Sequence, residues 1–217
     1  LGRANKFFLK FSEIIISYSK KIIGFPKNLE NKLRILKPLV RKKYYEELIN
    51  RQESQLFTII IIGGSQGAKI FDNLFHETLA KVSKSIKIKI IHQTSENNIN
   101  FLLNFYKENG IEHQVFVFEK DLNKLLIKSD LCITRAGASS LAELSLLKVP
   151  FITIPLPSSM DNHQYENAKF YQIQDSCWVI NQKYFEKQKF EDLLLKIIKN
   201  KEEYLLKKNN LENLNYQ

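Results

Sequence analysis

The 217-residue sequence predicts an α/β fold built on a Rossmann-like, doubly wound parallel sheet. Three observations predict it. From Phe57 onward, short continuous apolar runs rich in isoleucine and valine alternate with helix-period segments. That is the pattern of strands buried on both faces by crossover helices. The connections are short, which implies right-handed crossovers between parallel strands. Two strand-to-helix junctions are glycine turns, Gly63-Gly64-Ser65-Gln66-Gly67-Ala68 after Phe57-Thr58-Ile59-Ile60-Ile61-Ile62, and Arg135-Ala136-Gly137-Ala138-Ser139-Ser140 after Leu131-Cys132-Ile133-Thr134.

In chain order, residues 1–36 do not fit this unit. Asn5 to Ser12 reads as helix, Ile14-Ile15-Ile16-Ser17-Tyr18 as a strand, and Lys37-Pro38-Leu39-Val40-Arg41 as a connecting turn. One isolated strand and helix cannot bury a core, so 1–36 is expected to be a remnant of a preceding domain and 37–56 the connection. The chain opens on Leu1 and its one methionine is Met160, so the sequence is read as the later part of a longer protein. The main domain, 57–200, is expected to hold strands near 57–63, 86–92, 115–118, 131–134, 151–154 and 177–181. Helices are expected between them near 67–82, 96–109, 121–128, 138–147 and 162–173. Phe190-Glu191-Asp192-Leu193-Leu194-Leu195 begins a final amphipathic helix, and 201–217 is a polar helix or tail.

Composition narrows the function. A hydrophobic content of 44% supports a sizeable core. Cys132 and Cys177 fall in expected strands and read as small core residues, in keeping with a reducing cytosolic setting. No apolar stretch is long enough to span a membrane, and no signal peptide is visible. The net charge of +10 comes from lysines scattered over helix surfaces. No aromatic residues interleave with them as base-stacking would require, so no nucleic-acid partner is expected, whereas attraction to an anionic membrane surface is.

The glycine turns point to a phosphate-bearing ligand. Glycine permits close backbone approach, and the unpaired N–H groups and positive dipole end of the following helix face an anion. Ligands of such sheets bind beyond the carboxyl ends of the strands, where both turns fall. Glu143, in the helix after the second turn, suits a ribose diol or helix-dipole compensation; the sequence does not decide. Asp161-Asn162-His163-Gln164-Tyr165-Glu166-Asn167-Ala168 offers Asp161 or Asn162 as a helix cap. It also clusters amide and imidazole groups suited to sugar hydroxyls. His92-Gln93 ends another strand at the same rim, as a ligand contact or as support behind one. His76 and His113 read as ordinary surface residues. No metal-binding constellation appears and no cofactor is expected.

Gly63-Gly64-Ser65-Gln66-Gly67 also matches the G-x-S-x-G nucleophile elbow of hydrolases. Asp130 would lie at the wrong end of its strand for that chemistry, and Asp161 and His163 share one loop.

Taken in order and spacing, Gly63 to Ala68, His92-Gln93-Thr94, Arg135 to Ala138, Ala142-Glu143 and Asp161 to Ala168 resemble the bacterial MurG family of peptidoglycan glycosyltransferases, which convert lipid I to lipid II. Leu1-Gly2-Arg3-Ala4-Asn5-Lys6-Phe7 is similar to a segment late in that family's N-terminal domain. Lys37 to Arg41 is similar to its interdomain G-N-P-x-R turn, with Lys37 where asparagine is usual. Ser139-Ser140 replaces the commoner Leu-Thr or Met-Thr, keeping a hydroxyl.

The resemblance implies a GT-B architecture with UDP-N-acetylglucosamine held mainly by the C-terminal domain. It implies that Arg41 and Ser65, with Gln66 and Gly67 of the same turn, meet the diphosphate. Ala138, Ser139 and Ser140 would line the diphosphate's edge. Glu143 would hold the ribose, the backbone near Phe118-Glu119 with Arg135 the uracil, and His163 and Gln164 the N-acetylglucosamine. The acceptor would be lipid I and the reaction inverting. No catalytic base is assigned, since it would lie in the N-terminal domain. The place of work would be the cytoplasmic face of the inner membrane, peripherally bound. A UDP-N-acetylglucosamine 2-epimerase, and the donor-binding subunit of a split transferase, are the alternatives.

Overall fold

The computed structural model describes residues 3–17, 22, 24–36, 39–47, 55–159 and 162–214. Lys37, Pro38 and Asp161, named above in the turn and the cap, lie outside them. The chain divides into two compact units, Leu1–Leu39 and Val40–Gln217.

The first unit holds α1 (Arg3–Phe8), β1 (Ile15–Ser17), a 3-10 helix over Lys27–Lys32 and β2 (Leu33–Ile35). The strand expected at 14–18 is therefore not isolated. β1 pairs in parallel with β2, and Lys32 Nζ donates to the Ser12 carbonyl at 2.9 Å. β2 has only three residues, too few for periodicity to reveal. Phe7, Phe8 and Phe11 are exposed, and among the described residues of this unit Leu9 alone is buried.

The second unit begins with α2 (Lys42–Glu47) and continues through β3 (Phe57–Ile62), α3 (Gly64–Ser85), β4 (Ile88–Gln93), α4 (Ile99–Glu108), β5 (Glu112–Phe116) and α5 (Leu122–Ile127). β6 (Leu131–Thr134), α6 (Ala138–Leu146), β7 (Phe151–Thr153), α7 (His163–Ile173), β8 (Trp178–Val179), α8 (Lys187–Lys199) and α9 (Lys201–Asn213) complete it. The expected connection, 37–56, thus contains a helix that belongs to this unit.

The sheet is parallel throughout, in the order β5-β4-β3-β6-β7-β8. Counted within the unit this is 3-2-1-4-5-6, the dinucleotide-binding order, with its switch point between β3 and β6. Side-chain alternation along each strand feeds two cores. Ile59, Ile61, Ile90, Ile133 and Ile152 join Phe71, Phe75, Leu102, Phe190 and Leu194 of α3, α4 and α8. Ile60, Ile91, Cys132 and Phe151 join Tyr44, Leu126, Leu144, Tyr171 and Leu211 of α2, α5, α6, α7 and α9. Both faces are therefore covered, which is why the strands read as continuous apolar runs. Cys132 and Cys177 are buried free thiols; burial pushes the Cys177 thiol up to about 12, so it packs as an inert apolar group.

α9 is more than a polar tail. Leu211 is buried in the core. Lys207, also buried, reaches Asp175 at 2.6 Å and lies 5.0 Å from the centre of the Trp178 ring.

Candidate functional site

Both glycine turns lie at the carboxyl rim of the sheet, on the two strands that flank the switch point. β3 and β6 run side by side, with Ile62 paired to Thr134, so α3 and α6 start next to each other. α3 begins at Gly64, three residues earlier than expected, which puts Ser65, Gln66 and Gly67 in its first turn. Each helix has a glycine at its N-cap, Gly63 or Gly137, with no side-chain cap and no acidic residue in the first turn. Their leading N–H groups are left without intrahelical acceptors, and nothing in the first turn offsets the dipole. In α6 the opening residues Ala138 and Ser139 are exposed and Ser140 half-buried. A Cβ added at Gly137 would meet only Ser140 Oγ, at 3.7 Å. The protein itself therefore does not require glycine there, and the space beside the turn stays open to a close-approaching group.

Arg41 and Glu143, far apart in sequence, meet beside this rim. Arg41 Nε donates to Glu143 Oε1 at 3.0 Å, and a terminal guanidinium nitrogen lies 2.8 Å from the same oxygen. That nitrogen also donates to the Tyr44 hydroxyl at 2.8 Å, and the guanidinium stands 5.1 Å from the centre of the Tyr44 ring. Glu143 lies in the second turn of α6 and is paired with a cation, so helix-dipole compensation is not what places it. Burial, then the Glu143 carboxylate, raise the pKa of the Tyr44 hydroxyl and keep its proton in place.

Arg41 also lines a cleft of about 350 Å³ with Lys43, Gln93, Phe116, Phe118, Glu119 and Lys120. The cleft opens past the ends of β4 and β5. Phe118 stands 81% exposed at its edge. Glu119 turns one carboxylate oxygen back to accept from the Asp121 N–H at 2.8 Å. α2 is tied to the same turn, since Lys43 Nζ donates to the Lys120 carbonyl at 2.5 Å.

Arg135 is not among the residues lining that cleft. It is buried, stacked 4.7 Å from the centre of the Phe71 ring, and donates to the Ile154 carbonyl at 3.0 Å. It braces α3 against the ends of β6 and β7, and burial lowers its pKa from the usual arginine value. The motif that opens α7 shows a similar division of labour. Asn162 sits at the N-cap in the left-handed region, φ 53°, without a capping hydrogen bond from its side chain. His163 is exposed and Gln164 half-buried. Gln164 Oε1 accepts from the Leu156 N–H at 2.9 Å, fastening the Pro155-Leu156-Pro157 turn. Asn167 donates to the Ala136 carbonyl at 2.9 Å, holding the second glycine turn.

His92 is fully buried behind the rim, and Gln93, next to it, lines the cleft. His92 Nδ1 and the Tyr106 hydroxyl share a hydrogen bond at 2.7 Å, and Nε2 lies 3.3 Å from Asp72 Oδ1, off the axis of a good hydrogen bond. Asp72 Oδ2 accepts from Thr94 Oγ1 and Asn98 Nδ2, both at 2.7 Å. Burial alone would raise the Asp72 carboxyl, but His92, Asn98 and Thr94 together hold it below its ordinary value. Burial lowers the pKa of His92, against the opposing pull of Asp72. His92 is thus support that ties α3 to the β4 rim.

His76 and His113, read from sequence as surface residues, are half-buried instead. His76 packs edge-on against Phe101 and Phe105, and His113 lies against Tyr106. Sequence reasoning missed Tyr44, Asp72 and the bracing role of Arg135. The only local signal was Tyr44 three residues after Arg41, one helical turn on. Among the described residues, no group of three or more His, Cys, Asp or Glu side chains is placed to hold a metal ion. No helix of the described residues is long and apolar enough to cross a membrane.

The glycosyltransferase family 28 C-terminal domain matches residues 58–215. A Pelagibacter ubique protein named UDP-N-acetylglucosamine--N-acetylmuramyl-(pentapeptide) pyrophosphoryl-undecaprenol N-acetylglucosamine transferase is 42% identical over 217 residues, which is 100% of this chain and 61% of the relative. A Rickettsia canadensis protein of the same name is 35% identical over 92% of this chain and 58% of its own length. The chain thus spans about three fifths of the curated relatives it matches. Among solved structures, Acinetobacter baumannii MurG superposes with a TM-score of 0.76 at 22% identity, over 99% of this chain and 58% of that one. A UDP-glucosyltransferase from Polygonum tinctorium gives 0.64 at 14% identity, over 87% and 43%. At such identities the structural likeness is one of fold.

Proposed function

The chain belongs to glycosyltransferase family 28 and has the Rossmann-like sheet of the GT-B fold, and from that premise we propose that it is the donor-binding part of a peptidoglycan N-acetylglucosaminyltransferase. The enzyme moves N-acetylglucosamine from UDP-N-acetylglucosamine to lipid I, forming lipid II with inversion. It works as a peripheral protein at the cytoplasmic face of the inner membrane. The observation that carries the reading is the convergence of two uncapped glycine-headed helices, α3 and α6, beside the Arg41–Glu143 pair and the Phe118 cleft.

In this reading the cleft takes the uracil, Glu143 the ribose diol, and the two helix N-termini with Arg41 the diphosphate. His163 and Gln164 face the sugar. The acceptor hydroxyl attacks the anomeric carbon from the side opposite UDP, the bond to the diphosphate breaks, and negative charge grows on the departing oxygen. Fixed N–H dipoles and a guanidinium at that place stabilise the charge without reorganising. The general base belongs to the N-terminal domain of the enzyme, where the acceptor binds.

Isothermal calorimetry with UDP-N-acetylglucosamine, UDP-glucose and ADP-glucose tests the donor assignment. Preference for the UDP sugars, with UDP-N-acetylglucosamine tightest, is the expected result. Equal affinity for UDP and ADP sugars would refute it.

A further inference from the structure

We infer that Tyr44 is a positioning residue for the donor's diphosphate: its buried hydroxyl and ring lock the Arg41 guanidinium against Glu143 at the rim of the site. The inference rests on the donor-binding reading above and deepens it by naming what holds its exposed cation in place.

Arg41 and Glu143 alone make a weak device. The Arg41 side chain is 61% exposed and that of Glu143 9%. A pair with one exposed partner is screened by water, and a long arginine side chain loses rotamer freedom when it is held. Tyr44 changes this. It is fully buried in the core on this face of the sheet, where α2 packs on α5 and α6, so its hydroxyl is a fixed point. Being one turn beyond Arg41, it reaches the guanidinium twice, by the hydroxyl at 2.8 Å and by the ring face at 5.1 Å. Three contacts of different kinds, a carboxylate, a hydroxyl and an aromatic face, fix a planar group that any one would leave mobile. Arg41 meanwhile still lines the cleft. A cation held before the ligand arrives binds an anion with less ordering cost. The same contacts join the ribose-side acid to the phosphate-side base, so the two halves of the donor are recognised by one rigid unit.

Tyr44→Phe keeps the ring and its packing and removes only the hydroxyl. The 217-residue chain and this variant are titrated with UDP and with uridine, which lacks the phosphates. We expect Tyr44→Phe to weaken UDP about ten-fold and uridine by less than about two-fold, the scale of one hydrogen bond to a charged group. The UDP loss should vanish when Arg41→Met is already present. Equal losses for the two ligands, no loss for UDP, or a loss that persists with Arg41→Met would each overturn the inference.

A ligand-free measurement separates this inference from the donor assignment. The Arg41 Nε–H signal in 15N NMR should be sharp in the wild-type chain and exchange-broadened in Tyr44→Phe at an unchanged melting temperature. Failure of the wild type to bind UDP would sink the donor reading and the diphosphate role with it. A signal equally sharp in both chains would show that Tyr44 does not hold Arg41, whatever the ligand.

Discussion

At the scale of single residues, the proposed site contains groups already engaged in holding the fold. Gln164 is the clearest. From sequence it offers a donor and an acceptor to a sugar; in the structure its acceptor is committed to the Leu156 N–H at 2.9 Å. An alanine there would remove both functions and leave that N–H without its partner, at a cost to stability of about 1 kcal/mol. Gln164→Glu separates them, because a carboxylate keeps the acceptor and loses the amide donor. We predict that Gln164→Glu melts within about 1 kcal/mol of wild type, because the one structural hydrogen bond is preserved. It should bind UDP normally and lose the added affinity for UDP-N-acetylglucosamine. Calorimetry with the two ligands and a thermal melt check this; retention of the sugar preference would leave Gln164 a purely structural residue. Arg135 gives the opposite lesson. The family resemblance implied a place near the uracil, yet its guanidinium is stacked on Phe71. Sequence spacing locates a side chain on a rim, but the choice between facing the cleft and facing the core depends on what α3 presents, which no local pattern encodes.

At the scale of elements, legibility followed burial. β3 and β6, central and covered on both faces, were readable to within a residue from their apolar runs. β5 is an edge strand, and its Glu112-His113-Gln114 start alternates between exposed and half-buried. An apolar-run criterion therefore found only its end and set the strand near 115–118. α2 was invisible because Lys42-Lys43-Tyr44-Tyr45-Glu46 has one buried residue and no periodic stripe. The α6 N-terminus was legible from glycine alone, and it can be tested at that level. Gly137 has φ −69° and ψ 132°, values open to any residue. Alanine there restricts the unfolded chain, a gain of about 0.4–1 kcal/mol, but is a poorer N-cap than glycine by a comparable amount. Gly137→Ala should therefore melt within about 1 kcal/mol of wild type, these two effects opposing. If a phosphate packs against this turn, the new methyl group occupies its place, and UDP affinity should fall clearly while stability holds. An unchanged affinity would move the diphosphate away from α6.

At the scale of the whole molecule, the proposed function puts the donor half of the chemistry on one rim and leaves the acceptor half to another domain. An inverting transfer needs a nucleophile in line with the breaking bond, on the face of the sugar turned away from UDP. In the proposed reading, the groups brought together here, Arg41, Glu143 and the two helix starts, act on the leaving side. The curated relatives are longer, with this chain spanning 61% of the Pelagibacter ubique protein, and the family match is to a C-terminal domain. Alignment of two reactants in one cleft can supply about 7–11 kcal/mol of a barrier, and a donor site alone supplies little of that. We therefore predict that the 217-residue chain binds UDP-N-acetylglucosamine but transfers its sugar to lipid I at a small fraction of the rate reached when the N-terminal domain of a relative is supplied. A radiolabelled-donor assay run both ways measures the ratio. Equal turnover with and without the added domain would mean that the acceptor site and its base lie within this chain, and that His163, exposed at the start of α7, is the first residue to substitute in search of that base.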